Sequence, residues 1–572
     1  MIPRKSTPRP PREQEGRLLG PGMAVLLAIL VLPPIWVLVK TSFAQMNAGL
    51  TIEGYTFAHY ISLISGSDLA QTSITSILFS VGATIVSLLF GGILAWIVVR
   101  TDAPFKALAF LTTIISLGTP YILYVTGWLY LLGRSGPVNM AWRWATGSND
   151  VVFQVNSLAG MILVEGFLWS PLVFLLLSAV FRAANAEMEE AARMSGASIV
   201  ETIWYISLRL AAPAVAALAL FVFIRNLEAF EVPALIGIPG NVDVLTTEIY
   251  HSVKRMPPNI GFASAYSVVM ILCIAVLLHF YSRISAKAEK YASITGKGYR
   301  PRPFRLGSYR WVGGAIVLFN FLIVLLLPLS AILWMALTPF VQPMRFSALS
   351  NLTVENFENI LSQPYYRELA LNTVIVAASV ATIAMVITLF VGWTVARRKP
   401  AAKLSEQLVT MPLVFPGLVL GIAMLQIALK SPIPIYGTLW IIILGFVIRY
   451  IPYGMRYTFA GVLQIHPELE QAALVSGANT FQKIFRIVAP LLAPALASGW
   501  IFVFLIATKE MSMPLLLAGP GSQTIPVAMF DLWSSGQSGE VAALGLLWAM
   551  VMTVLSSAFY FLTRRASSNT FG

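Results

Sequence analysis

One cysteine, Cys273, in 572 residues leaves no disulfide framework and no multi-cysteine metal site. Charge is sparse as well. Asp, Glu, Lys and Arg make up 11% of the chain against 57% hydrophobic residues, which excludes a soluble globular domain. The four histidines, His59, His251, His279 and His466, lie in different segments and share no ligand spacing, so no metal site is expected. No His, Asp and Cys cluster supports an enzyme of the membrane, and no catalytic residue is assigned. The chain also lacks G-x-x-x-x-G-K-[ST]: Gly296-Lys297-Gly298 has neither the upstream Gly nor the following Ser or Thr, so ATP is not expected to bind here. Lys and Arg outnumber Asp and Glu by 38 to 25, but in a membrane chain that excess belongs to cytoplasmic loops, and no nucleic-acid partner is expected.

Long apolar runs are abundant. After a Pro-, Arg- and Lys-rich tail, 1–18, that cannot bury a core, runs occur at about 19–39, 72–99, 108–132, 158–181, 212–236 and 262–281. The first has no small-residue cleavage site and reads as a membrane helix, with Pro33 and Pro34 as a kink, not as a leader. A basic linker, 284–310, precedes six more runs at about 311–337, 371–396, 408–429, 436–459, 491–516 and 541–562. The expected fold is an all-α polytopic membrane protein of about twelve transmembrane helices, as two tandem six-helix halves, 19–283 and 311–572.

The halves are copies. Residues 187–213, EMEEAARMSGASIVETIWYISLRLAAP, align without a gap on 468–494, ELEQAALVSGANTFQKIFRIVAPLLAP, at one offset, 477 − 196 = 281. Glu189 falls on Glu470, Ala191-Ala192 on Ala472-Ala473, Gly196 on Gly477 and Pro213 on Pro494. Leu89-Phe90 and Gly92 likewise match Leu389-Phe390 and Gly392, and an extra polar loop at 134–152, of unassigned role, accounts for the change of offset.

Loop charge sets the orientation. Arg4, Lys5, Arg9, Arg12, Arg17, Arg100, Lys106, Arg182, the linker cluster, Arg397, Arg398, Lys399, Lys403, Lys483, Arg486, Arg564 and Arg565 fall on one side, which the positive-inside bias makes cytoplasmic. Both termini and both copies of the repeated loop are therefore expected inside. In each copy an acidic-Ala-Ala segment reads as a short helix ended by glycine, an exposed helix-turn that a partner's groove can hold.

This pattern resembles the EAA loop of permease subunits in binding-protein-dependent ABC importers: acidic-Ala-Ala, three residues, Gly, nine residues, Ile, one residue, Leu-Pro. Glu190-Ala191-Ala192, Gly196, Ile206 and Leu208 fit it, and Gln471-Ala472-Ala473, Gly477, Ile487, Ala489 and Pro490 occupy the same places in the second copy. Arg209, Gln471 and Ala489 depart from the pattern. The chain is most similar to fused permeases of the iron(III) and thiamine type, with polyamine and phosphonate systems as relatives. The resemblance implies a multi-pass protein of the bacterial inner membrane, with no cofactor of its own. It also implies two ABC ATPase subunits, which bind the ATP and Mg, and a periplasmic solute-binding protein. Glu189, Glu190, Ala191, Ala192, Gly196, Glu470, Gln471, Ala472, Ala473 and Gly477 become the ATPase-coupling residues, and iron(III) or another small cation the first choice of cargo.

Charges inside apolar spans are costly and often functional. Arg225, Glu228 and Glu231 follow Phe221-Val222-Phe223, while Lys509 and Glu510 follow Phe502-Val503-Phe504 in the second half. These five either border a hydrated path for a cation or neutralise one another as internal pairs. Glu165 and Arg449 pose the same alternative. His466, ahead of Pro467, reads as a cap or an ATPase contact. An ion-driven secondary transporter also has twelve helices in two halves, but has no need of two matched cytoplasmic helix-turns.

Overall fold

The computed structural model describes residues 11–47, 51–183, 186–291 and 304–569. Residues 1–10 of the predicted tail and 292–303 of the predicted linker lie outside these described residues. Helix Pro11–Ser42 begins inside the predicted tail and contains Pro21, Pro33 and Pro34. Among the described residues the only sheet is a two-stranded antiparallel hairpin, Ala44–Met46 with Ile52–Tyr55.

Among the described residues ten helices are long and apolar enough to cross a membrane: Leu18–Ser42, Leu69–Arg100, Leu158–Arg182, Trp204–Leu227, Ile260–Ser285, Gly307–Ala336, Pro364–Ala396, Leu439–Gln464, Thr480–Ala507 and Ser538–Leu555. The remaining two predicted spans, 108–132 and 408–429, are not straight. Lys106–Ser116 turns through 114° into Tyr121–Thr146, and Ala402–Val414 turns through 105° into Gly417–Lys430. The cause is the same in both. Pro120 and Pro416 have no N–H to give the preceding turn and force Thr119 and Phe415 into extended backbone. Counting each bent pair as one crossing gives twelve.

Contacts gather the chain into two compact units that cut across the halves of the sequence. One comprises 42–364 and 528–553 and so takes in the seventh span; the other comprises 1–41, 365–527 and 554–572 and so takes in the first. Within the former, helix Ser67–Arg100 lies along Leu158–Ala183. Gly82 meets Ile162, Gly91 meets the Ser170 carbonyl and Gly166 meets Val86. Small residues let helix backbones approach where lipid provides no hydrophobic drive. Gly313 and Gly314 similarly bring the seventh span onto Ala103 and Pro104. Within the other unit Gly392 meets Thr458, Gly454 meets Thr388, and Gly20 brings the first span onto Pro400 and Thr394.

Candidate functional site

The two repeated loops fold alike. Helix Ala186–Met194 carries Glu190, Ala191 and Ala192 and is followed by Gly196 at φ 91°; helix Pro467–Val475 carries Gln471, Ala472 and Ala473 and is followed by Gly477 at φ 85°. The next alanine then reaches back five residues, Ala197 N–H to the Ala192 carbonyl at 3.1 Å and Ala478 N–H to the Ala473 carbonyl at 2.9 Å. That bond is the mark of a Schellman cap, and its left-handed residue is taken without strain by glycine alone. The chain restarts on a reciprocal cap. Ser198 N–H donates to Glu201 Oε2 at 2.8 Å and Glu201 N–H to Ser198 Oγ at 3.3 Å; Asn479 N–H donates to Gln482 Oε1 at 3.0 Å and Gln482 N–H to Asn479 Oδ1 at 2.8 Å. The Ser198 backbone N–H, then its hydroxyl, hold the Glu201 carboxyl below the usual carboxylate range. Each loop finally passes through a π-helical turn, Ile203–Ser207 or Ile484–Val488, into its membrane helix.

Glu189 and Glu470, expected on the exposed knob, instead face inward. Glu189 is buried, accepting from Ser207 Oγ at 2.7 Å with Arg100 Nε at 3.5 Å. Glu470 is buried too, accepting from Trp393 Nε1 at 2.9 Å and Arg397 Nε at 2.7 Å, with Lys483 Nζ at 3.8 Å. Lys483 also stands over the Trp393 ring at 4.7 Å, and Arg397 donates a second bond to the Ile465 carbonyl at 2.8 Å. These carboxylates tie the loops to the ends of helices Ser67–Arg100 and Pro364–Ala396. The Glu190 side chain lies outside the described residues, whereas Gln471 is exposed.

Beside polar residues such as Gln471, each loop exposes an apolar stripe. Met188, Ala191 and Met194 line one face of the first helix, and Leu469, Ala472 and Val475 occupy the same positions of the second. Met194 and Val475 are both 90% exposed. Sequence reasoning found the alanines and missed their neighbours, although the i, i+3, i+6 spacing was there to read. It also missed the anchors. Trp96-x-x-x-Arg100 and Trp393-x-x-x-Arg397 repeat at 397 − 100 = 297, a signal obscured because that offset differs from the loops' own.

The first anchor has an addition. Phe304, at the end of the linker, donates its N–H to the Arg100 carbonyl at 2.7 Å and accepts from Asp102 N–H at 3.1 Å. Leu306 N–H donates to Asp102 Oδ1 at 2.9 Å, and the Phe304 ring stacks on Trp96 at 6.1 Å. The linker thus straps the end of the helix that holds Glu189.

Two ion pairs gather charges within the spans. Arg225 donates to Glu228 Oε2 at 2.7 Å and lies 5.8 Å from the Trp169 ring, whose Nε1 donates to Glu165 Oε1 at 2.9 Å. Glu231 is half-buried nearby in sequence. In the other unit Arg449 lies 3.5 Å from Glu510 and donates to the Phe415 carbonyl at 3.1 Å, at the helix break. Glu510 also accepts from Tyr450 Oη at 2.9 Å and from the Ser512 hydroxyl, and Gly417 leaves room for the group. Lys509 is buried.

Elsewhere the extra loop forms helix Pro137–Thr146, held by Asn139 through the Leu132, Gly133 and Phe153 carbonyls, with Trp144 exposed. His466 Nδ1 accepts from Glu468 N–H at 3.4 Å as a helix cap, and His251 lies 3.3 Å from Asp243. Among the described residues no three of His, Cys, Asp and Glu gather as a metal site.

Two stretches, 87–290 and 384–568, each containing one loop and the end of the helix that anchors it, match the profile of binding-protein-dependent transport system inner membrane components. The chain belongs to that family. The match falls once on each repeat, so this inner membrane component carries two permease domains in one polypeptide. It is 26% identical over 547 residues to the ferric transport system permease protein FbpB of Actinobacillus pleuropneumoniae, covering 93% of this chain and 77% of that one. Against FbpB 1 of Haemophilus influenzae, provisionally named a ferric transport system permease, identity is 27% over 511 residues, or 86% of this chain and 78% of that one. PhnV of Salmonella typhimurium, provisionally named a 2-aminoethylphosphonate transport permease, is 24% identical over 43% of this chain and 92% of its own length. The protein is a multi-pass ABC-importer permease of the inner membrane, a transport component.

Proposed function

We propose that this permease moves iron(III), delivered by a periplasmic binding protein, and that its loops 187–213 and 468–494 seat in two ATPase subunits on the cytoplasmic side. The observation that carries the coupling role is the matched apolar stripe, Met188-Ala191-Met194 and Leu469-Ala472-Val475. Apolar residues set in water twice, in one register and on rigidly capped helices, call for two copies of one partner. ATP and Mg belong to that partner. Closure of its two subunits draws the loops together, and the buried Glu189 and Glu470 carry the movement into helices Ser67–Arg100 and Pro364–Ala396.

Iron(III) is favoured for the cargo because the relatives named for ferric transport align over most of this chain, whereas the phosphonate relative aligns over 43%. Thiamine, polyamine and phosphonate are the alternatives. Arg225, Glu228, Glu231, Lys509 and Glu510 are assigned to the borders of the path. Full uptake by both Glu228→Gln and Glu510→Gln would remove that assignment.

The deciding experiment is affinity co-purification of the permease from its native membrane in mild detergent, with mass spectrometry of what accompanies it. An ATPase at about two copies per chain is expected, together with a binding protein whose cargo can be tested. Recovery of the permease alone in several detergents would overturn the coupling role. Gly196→Asp and Gly477→Asp are expected to leave the chain in the membrane but to separate ATP hydrolysis from transport.

A further inference from the structure

The repeats differ at one place where neither loop is involved. Helix Lys106–Gly118 and the segment 402–414 both follow a left-handed residue, Phe105 at φ 65° and Ala401 at φ 61°, and both run to the proline break. The offset between them is 416 − 120 = 296, which sets Phe110 opposite Glu406. In the first repeat Phe110 fills the space beside helix Leu158–Ala183, packed 5.3 Å from Phe174 and covered by Arg182 at 5.9 Å. In the second, Glu406 and Leu463 stand in place of Phe110 and Arg182, and the space is a cavity of about 590 Å³.

Its lining is amphipathic. Val395, Ala396, Leu404, Phe459 and Leu463 form apolar walls, and Arg398, Lys399 and Lys403 supply three cations against the one carboxylate of Glu406. Lys399 is shared with the Trp393 ring, 5.4 Å away. Arg398 and Lys403 have no ion pair among the described residues. Val395 and Ala396 are in the last turn of one membrane helix, and Phe459 and Leu463 near the end of another, so the cavity opens at headgroup depth.

We propose that this cavity holds the phosphate ester of an anionic phospholipid, with Arg398 and Lys403 on the phosphate and Leu404, Phe459 and Leu463 against the glycerol and upper acyl carbons. Basic pockets between membrane helices recognise such headgroups, each cation near the surface strengthening binding about 5-fold. A soluble phosphate would gain nothing from the apolar walls, which selects the lipid as the source.

The test needs only the full chain in detergent. Binding of short-chain phosphatidylglycerol, phosphatidylcholine of equal chain length, and inorganic phosphate is measured by native mass spectrometry and thermal shift. Phosphatidylglycerol is expected to bind at least about 10-fold tighter than phosphatidylcholine, and Arg398→Gln with Lys403→Gln to weaken it about 30-fold. Glu406→Gln should tighten it about 5-fold. Glu406→Phe, which restores the aromatic of the first repeat, should abolish it. Equal binding of the two lipids would overturn the proposal, as would unchanged binding in Glu406→Phe. So would phosphate binding with the same dependence on the variants while phosphatidylglycerol shows no advantage.

Discussion

The second loop is held by two hydrogen bonds and a lysine at 3.8 Å, all on one carboxylate; the first is held by one hydroxyl and a guanidinium at 3.5 Å, with the linker strapped over the helix end. The difference begins with two tryptophans. Trp393 gives its Nε1 proton to Glu470, whereas Trp96, at the matching place, lies under Phe304 and its buried Nε1 has no hydrogen-bond partner among the described residues. The same purpose, fixing a loop to a membrane helix, is served by a charge network in one repeat and partly by a tethered aromatic in the other. A duplicated sequence retains the loop's own geometry more strictly than the means of attaching it.

That contrast can be broken in stages. Glu470→Ala leaves Arg397 and Lys483 buried without their carboxylate and is expected to loosen 467–483 by about 3 to 5 kcal/mol in hydrogen exchange, while Glu189→Ala loosens its loop by about 2. Equal effects would show that the two anchors are equivalent after all. Trp393→Phe should cost about 2 kcal/mol more than Trp96→Phe, because only the former removes a bond to a charged group; thermal unfolding of the pair measures it. Asp102→Ala removes the acceptor for Leu306 N–H and should raise exchange at Phe304 and Leu306 by about 1 kcal/mol, with Asp102→Asn restoring it and the second loop unaffected.

The smallest effect is one of pH. The folded Glu201 carboxyl lies below its usual range, so its cap contributes above the unfolded carboxylate range and is lost as pH falls through the folded value. Acid below the usual carboxylate range should therefore lower the exchange protection factor around Ser198 and leave that around Asn479 unchanged, since Gln482 does not titrate. Glu201→Gln should remove the difference between the loops.

Much of this was legible in the chain. Gly196 and Gly477 announce left-handed caps because a side chain there is strained, and the repeat makes each a check on the other. The helices were readable from hydropathy, but hydropathy runs through Pro120 and Pro416 unchanged and cannot tell a straight span from one bent past a right angle. Nor could it tell that Glu189 turns inward. Neighbouring positions on a helix point about 100° apart, and which of them is covered depends on Arg100 and Ser207, distant in sequence. The i, i+3 pairing of Arg225 with Glu228 was the internal alternative already visible, whereas the Arg449–Glu510 pair joins residues 510 − 449 = 61 apart in sequence at a helix break.

The place of the first span bears on how the protein is made. Helix Pro11–Ser42 is made well ahead of its neighbours, because the compact unit it joins draws its remaining members from beyond residue 364. At roughly 5–20 residues per second that interval lasts on the order of 20 to 60 seconds. Over this time the helix lacks those partners, and it is suited to the wait: the apolar 18-residue window within Leu18–Ser42 has a mean hydropathy of 2.5, and only 28% of that window is buried even in the finished fold.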